Sequence, residues 1–182
     1  MNFCAKCGGP VVLKTPPGDD RPRYVCSRCG TVHYQNPRVV VGCIPRWDGK
    51  ILLCRRAIAP RYGRWTLPAG YLENGESLEQ GTRRELWEEA GATAQEMVPY
   101  GMYNLIRVNQ VYLMFRTRLA DDTLDPGEES LEVDLFPEDR IPWGELAFPV
   151  IERTLERYCR DRASGAFPVH MEDIVVRMKE DG

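Results

Sequence analysis

Glu85, Glu88 and Glu89 stand at positions i, i+3 and i+4 of the segment RELWEEA, directly after Arg84. On a helix that spacing puts all three carboxylates on one face. Like charges so placed repel, costing roughly 0.2–0.5 kcal/mol per pair on an exposed helix. Arg84 can pair with Glu88 one turn on, but acids still outnumber bases on that side. A divalent cation removes the repulsion. Clustered carboxylate oxygens suit hard ions such as Mg²⁺, which commonly bridges carboxylate to substrate phosphate. The plain alternative is a solvated acidic helix face.

A second set of residues has metal-ligand spacing. Cys4-x2-Cys7 and Cys26-x2-Cys29 are two knuckles separated by 18 residues, the pattern of a four-cysteine zinc ribbon. Four thiolates close the tetrahedron and leave no open position, so the expected Zn²⁺ is structural. Gly8 and Gly30 follow the second cysteine of each pair, where a tight turn needs a flexible backbone. A redox role for one CxxC pair is the alternative, and the presence of two pairs weighs against it. With the tetrad full, His33 reads as an ordinary turn or strand residue. Cys43, Cys54 and Cys159 lack such spacing and read as small buried hydrophobes.

These groups need elements to hold them. Ser77-Leu78-Glu79-Gln80 is a capping box, and Gly91 is a helix stop, so residues 78–90 should be helical. Residues 39–44 and 51–54 read as buried strands joined by a turn at Trp47-Asp48-Gly49-Lys50. Residues 95–106, 109–119 and 131–136 read as further strands, and 151–162 as a helix with Ile151, Leu155 and Tyr158 at helical spacing. Pro16–Asp20 reads as a loop between two short strands of the ribbon. The domain joint falls at Asn36-Pro37. The expected organisation is a zinc ribbon over 1–36 and a catalytic domain over 37–182. The expected fold class is α+β, a mixed sheet with helices on its faces.

Residues 70–92 as a whole read G-x5-E-x7-R-E-L-x-E-E-x-G-A. In Gly70, Glu76, Arg84, Glu85, Glu88, Glu89 and Gly91 this segment resembles the box of the Nudix hydrolases; only Ala92 departs, where a larger aliphatic residue is usual. With those positions in register, the metal reading of the glutamates outweighs the solvated face. The resemblance implies an α/β/α sandwich and Mg²⁺- or Mn²⁺-dependent cleavage of a nucleoside diphosphate conjugate. It implies Glu85 and Glu89 as the main side-chain ligands, Glu88 as a further one, and the Gly70 carbonyl as another. It implies Arg84 as the group orienting the carboxylates, with Glu76 its structural partner. A general base or further ligand would come from a glutamate outside the box; Glu129 and Glu132 are the candidates, and Glu132 is preferred.

A zinc ribbon ahead of a Nudix domain also occurs in NADH pyrophosphatases, which carry a SQPWPFPxS-like array after the box. No such array follows Ala92. Segments such as YQNPRVVVGC, GRWTLPAGYLENGES, ESLEVDLF and IPWGELAF are closer to the plant chloroplast FAD and ADP-ribose diphosphatase type. That likeness implies FAD or ADP-ribose as substrate, with AMP released, and NADH as the alternative. Arg55, Arg56, Arg61 and Arg64 are candidate phosphate contacts. Tyr71, Tyr103, Tyr112 and Phe136 are candidates for stacking, against core packing as the ordinary role.

Net charge is −3 over 182 residues, which suggests neither a nucleic-acid coat nor a membrane surface protein. Residues 1–38 hold six Lys/Arg and two Asp, net +4, while 39–182 hold 18 and 25, net −7. Six scattered cations make a weak electrostatic footprint, so a small nucleotide is expected as partner rather than nucleic acid. A ribbon that grips RNA and a non-catalytic nucleotide sensor are the other readings, and an intact box argues against the sensor. No apolar run has the length of a membrane span, and MNFCAKCGGP has no apolar central region. The expected setting is cytoplasmic, and a homodimer is compatible with the family.

Overall fold

The computed structural model describes residues 1–175. The chain divides into two units, Met1–Asn36 and Pro37–Gly182.

The first unit is a three-stranded antiparallel sheet of β1 (Val11–Lys14), β2 (Arg23–Cys26) and β3 (Val32–His33), in the order β1-β2-β3. Each knuckle closes the same way. The Gly8 N–H donates to the Cys4 carbonyl at 2.9 Å and the Gly30 N–H to the Cys26 carbonyl at 3.0 Å. Both glycines have positive φ, 69° and 71°, which a residue with a Cβ adopts only at a cost. The buried residues of this unit are Cys4, Gly9, Pro16, Val25 and Cys26, so it has almost no apolar core of its own.

The second unit is built on a mixed sheet in the order β10-β5-β4-β9-β8-β11. Its strands are β4 (Arg38–Trp47), β5 (Lys50–Arg56), β8 (Ala94–Leu105), β9 (Gln110–Leu119), β10 (Ser130–Phe136) and β11 (His170–Asp173). Two short strands attach at the side: β6 (Trp65–Thr66) on β5 and β7 (Ala69–Tyr71) on β4. β4 is central and runs parallel to β9; β11 runs parallel to β8; the other pairs are antiparallel. Val40–Ile44 is buried without interruption, because both faces of β4 are covered. On one face Cys43, Leu52, Cys54, Phe115 and Leu119 pack with Leu86 and Ala90 of α1 (Leu78–Ala90). On the other, Ile44, Ile51 and Leu53 pack with Ile151, Leu155 and Tyr158 of α2 (Pro149–Ser164). Each fully buried aliphatic side chain contributes about 1.5–3 kcal/mol, and the two clusters make the α/β/α layering the stable arrangement. The α+β class expected from the sequence is therefore the one observed.

The β4–β5 turn places Asp48 at φ 45° and Gly49 at φ 76°, the two positive angles that an Asp-Gly hairpin turn demands. α1 begins and ends as the capping box and Gly91 predict: Ser77 accepts from the Gln80 N–H, Gln80 reaches back to the Ser77 N–H, and Gly91 caps with φ 59°. α2 is longer than the 151–162 expected, since Pro149 occupies its first turn and Gly165 its stop. β11 was not anticipated. It is held by pairing with β8 and by a buried knot in which Asp161 accepts from Tyr100 Oη at 2.7 Å and meets His170 Nε2 at 2.6 Å.

Candidate active site

The catalytic candidates gather where α1, β7 and the loop ahead of β10 meet. β7 pairs with the central strand, Gly70 opposite Val41 and Ala69 opposite Gly42. Gly42 permits the approach, since a Cβ there would overlap Ala69 and the Pro68 carbonyl. Across this bed lies the carboxylate of Glu85, so close that a Cβ on Gly70 would also overlap it. Gly70 is thus required by the side chain above it.

Arg84 organises the acids around it. Nε and Nη2 hold both oxygens of Glu76, at 3.1 and 2.8 Å. Nη1 donates to Glu85 Oε1 at 2.7 Å and to Glu88 Oε2 at 2.9 Å. Nη2 also donates to the Tyr71 carbonyl at 3.0 Å. Those five contacts match the five N–H donors of a guanidinium. The arrangement holds the Glu76 carboxyl below its ordinary range through the Arg84 hydrogen bonds.

Glu85 and Glu89 go the other way. Burial raises the Glu85 pKa against the opposing pull of Arg84. Burial, then the Glu85 charge, pushes Glu89 up to about 8. Glu89 is buried, accepts from the Ala69 N–H at 3.3 Å, and among the described residues has no Lys, Arg or His within ion-pair distance. Glu85 has Arg84 beside it, but the pair still holds two buried acids to one base, an arrangement that favours an added positive charge. The donor set of carboxylate oxygens with a neighbouring backbone carbonyl suits Mg²⁺ or Mn²⁺, whose shells are commonly completed by water and phosphate. Glu88 stays half-exposed, its carboxylate on Arg84.

The loop 120–129 crosses the end of α1. Asp125 N–H donates to the Ala90 carbonyl at 2.9 Å and Gly127 N–H to the Glu89 carbonyl at 3.3 Å, satisfying helix-terminal acceptors. A Cβ on Gly127 would collide with the Glu88 carbonyl. Glu129 follows two residues later, and its charge raises the pKa of both Glu85 and Glu89. Glu132 sits on β10 opposite Arg55, with 51% of its side chain exposed and Arg55 Nη1 3.4 Å away. The preference for Glu132 over Glu129 thus finds its acid turned to Arg55.

The arginine run separates in the same way. Arg55 and Arg64 donate to the Gly63 and Gly144 carbonyls at 3.0 and 2.9 Å. Arg56 lies over Phe148 and its charge acts on Glu89. Arg61 is exposed. Of the aromatics, Tyr103 and Tyr112 are buried and Phe136 packs edge-on to Trp65 at 4.8 Å. Tyr71, next to Gly70, is exposed; Arg38 covers its ring at 4.7 Å and Gln110 Nε2 donates to its hydroxyl at 2.9 Å.

In the first unit the ligand atoms of Cys4, Cys7, Cys26 and Cys29 all lie within 4.8 Å of one another. Backbone N–H groups of Arg28 and Cys29 donate to the Cys26 sulfur, both at 3.4 Å, and lower its pKa, the Cys29 amide most. Hydrogen bonds from Thr31 bring Cys29 down to about 6. Thiolates favoured by such donors are the form that Zn²⁺ takes. His33 lies in β3 as expected, but Nε2 stands 3.2 Å from the Cys4 sulfur. It buttresses a ligand, a role its spacing did not reveal.

A Nudix N-terminal zinc-ribbon model matches residues 2–35, and the NUDIX domain model matches residues 36–155. The chain belongs to the Nudix family. A crystal structure of a NUDIX hydrolase from Nitrosomonas europaea is similar at 52% identity and TM-score 0.90, covering 96% of this chain and 100% of that one. The chain is 32% identical over 166 residues to the NAD-capped RNA hydrolase NudC of Vibrio atlanticus, covering 86% of this chain and 58% of that protein. It is 30% identical over 131 residues to an ADP-ribose pyrophosphatase of Methanocaldococcus jannaschii, covering 70% of this chain and 76% of the relative. The chain therefore spans a little over half the length of its NudC relatives. The RNA-linked name of those relatives removes the support for setting nucleic acid aside as a partner. Among the described residues no helix is long and apolar enough to cross a membrane.

Proposed function

We propose that this chain hydrolyses the diphosphate bond of a nucleoside diphosphate conjugate, with Glu85, Glu88, Glu89 and the Gly70 carbonyl holding divalent cations. The observation that carries the reading is the buried pair Glu85 and Glu89, the first lying where a Cβ on Gly70 would be and the second accepting from the Ala69 N–H. Bound Mg²⁺ or Mn²⁺ would supply an activated water and neutralise phosphate oxygens. Arg84 keeps Glu85 and Glu88 aimed. The effect of the Glu129 charge on Glu85 and Glu89 supports it as the group that takes a proton, and the effect of Arg56 on Glu89 supports Arg56 as a phosphate contact. Tyr71 offers its ring to a base or flavin. Structural Zn²⁺ on Cys4, Cys7, Cys26 and Cys29 is the second cofactor.

FAD or ADP-ribose, cleaved to AMP and the partner monophosphate, is the proposed substrate, and the pyrophosphatase of M. jannaschii favours ADP-ribose. The second reading is an NAD-linked diphosphate, free or at an RNA end, which the NudC relatives favour. Specificity constants for ADP-ribose, FAD, NADH and NAD-capped RNA at saturating Mg²⁺ distinguish them. A preference of about tenfold for either NAD form, a difference near 1.4 kcal/mol in transition-state binding, would overturn the first reading.

A further inference from the structure

The β4–β5 turn carries a second concentration of charge, away from the glutamates. Ile44 lies opposite Arg116 and Arg46 opposite Arg118 along the parallel β4–β9 pair. Ile44 belongs to the α2 side of the sheet, so side-chain alternation puts Arg46, Arg116 and Arg118 on that face. Arg162, from the last turn of α2, closes the wall. Arg46, Arg118 and Arg162 line a cavity of about 310 Å³ together with Trp47, Asp48 and Tyr158.

The donors of these arginines are unequally used. Arg162 is occupied, donating to the Gly49 carbonyl at 3.1 Å and forming an ion pair with Glu138 Oε1 at 2.8 Å. Arg46 uses Nε on the Thr117 carbonyl at 3.3 Å. Among the described residues, neither Arg46 nor Arg118 has a carboxylate within 4.0 Å. Arg116 lies against Phe167, and its buried Nε has no partner among the described residues. Arg46 depresses the Arg116 pKa in addition to the larger effect of burial. Like charges directly opposite on neighbouring strands are destabilising, and Asp48 is the acid that shares the cavity with the Arg46–Arg118 pair. Asp48 at the rim is exposed, and Glu138 is already engaged by Arg162.

We propose that this cavity is an anion site for a ligand bearing phosphate groups, held by the forks of Arg46 and Arg118. Planar guanidinium groups match phosphate oxygens two at a time, and two neighbouring forks suit two neighbouring phosphates. The site is distinct from the glutamate cluster. Arg46 pairs with Ile51 at the turn end of β5, whereas Arg56 lies at the other end; Cys43 faces α1, while Ile44 and Arg46 face α2. A free diphosphate and the backbone of a nucleic acid present the same chemistry there.

The test is titration calorimetry on the full chain without added divalent metal. Sodium pyrophosphate is one probe and a 5′-hydroxyl oligoribonucleotide the other. At least one should bind the parent protein, and Arg118→Glu should weaken it by about tenfold or more. Glu89→Gln should leave it within about twofold, since distant sites act independently. Pyrophosphate binding alone assigns the site to free phosphates; tighter, salt-sensitive binding of the oligoribonucleotide assigns it to a nucleic-acid backbone. Arg118 is exposed, so its substitution should fold; Arg118→Gln with an unchanged unfolding midpoint is the check. Absence of binding by both probes at millimolar concentration would overturn the proposal. So would binding that survives both Arg118 variants or is lost in Glu89→Gln.

Discussion

The Glu85 carboxylate occupies the space that a Cβ on Gly70 would need. Gly70 is fixed by pairing with Val41 of the central strand, and Glu85 is held by Arg84 Nη1 at 2.7 Å. An added methyl group must therefore displace the carboxylate. Gly70→Ala should lower turnover by about 10²-fold or more, the order of losing one electrostatic stabiliser. Its stability loss should stay within the roughly 1–3 kcal/mol of local overpacking. Steady-state kinetics at saturating Mg²⁺, beside a denaturation curve, separate the two effects. Undiminished turnover would contradict the role given to Glu85.

Glu89 links catalysis to pH. Its folded pKa, pushed up to about 8 chiefly by burial, lies above the ordinary glutamate value of about 4.3. Between those values the folded state holds the proton more tightly than the unfolded one. Stability without added divalent metal therefore falls as pH rises through that window. Glu89→Gln abolishes the titration and keeps an oxygen for the Ala69 N–H. Its unfolding midpoint should exceed the parent's near about pH 8, with the gap closing toward about pH 5. Turnover at saturating Mg²⁺ should drop by at least about 10²-fold, with zinc content unchanged. A variant within a fewfold of parental turnover would remove this helix as the metal site.

The ribbon is expected to depend on metal more than on burial. Its core is hardly more than Cys4, Pro16, Val25 and Cys26, little to order 36 residues, so metal binding is expected to supply most of its folding energy. One zinc per chain is expected by elemental analysis of unchelated protein. Cys26→Ser replaces the proposed thiolate ligand, which accepts from two backbone N–H groups, with a hydroxyl that binds zinc poorly. That variant should lose its zinc and expose residues 1–36 to rapid amide exchange. Retention of full zinc by Cys26→Ser would show that the tetrad is misassigned.

What the sequence disclosed and what it concealed divide by range. The limits of α1 were legible because Ser77, Gln80 and Gly91 act within a turn of the helix end. The four-cysteine cluster was legible because its two knuckles are local. β11 was not: HMED has no apolar alternation, and its place depends on β8 and the Asp161–His170 contact. Arg55, Arg56, Arg61 and Arg64 looked equivalent because their neighbours are similar in sequence. Their separation comes from the carbonyls of Gly63 and Gly144 and from the packing of Phe148. The Arg46–Arg118 pair was invisible because only parallel pairing of β4 with β9 brings them together.

Glu129 and Glu132 show the same limit at the site itself. Both lie in PGEESLE, and the sequence alone favours the later one. A register shift between Ser130 and Glu132 interrupts the β10–β5 ladder, while Gly127 is pressed against the end of α1. The loop so anchored brings the Glu129 charge to bear on Glu85 and Glu89, and the strand beyond turns Glu132 to Arg55. Glu129→Gln should therefore lower turnover by about 10²-fold, at the lower end of what a general base contributes. Loss of its charge also lowers the pKa of Glu85 and Glu89, so the acid limb of the kcat/KM profile should move to lower pH. Glu132→Gln removes a half-exposed ion pair worth about 0.2–1 kcal/mol and should leave turnover within a fewfold of the parent. Paired pH–rate profiles of the two variants decide between them, and a larger loss from Glu132→Gln would reverse the assignment.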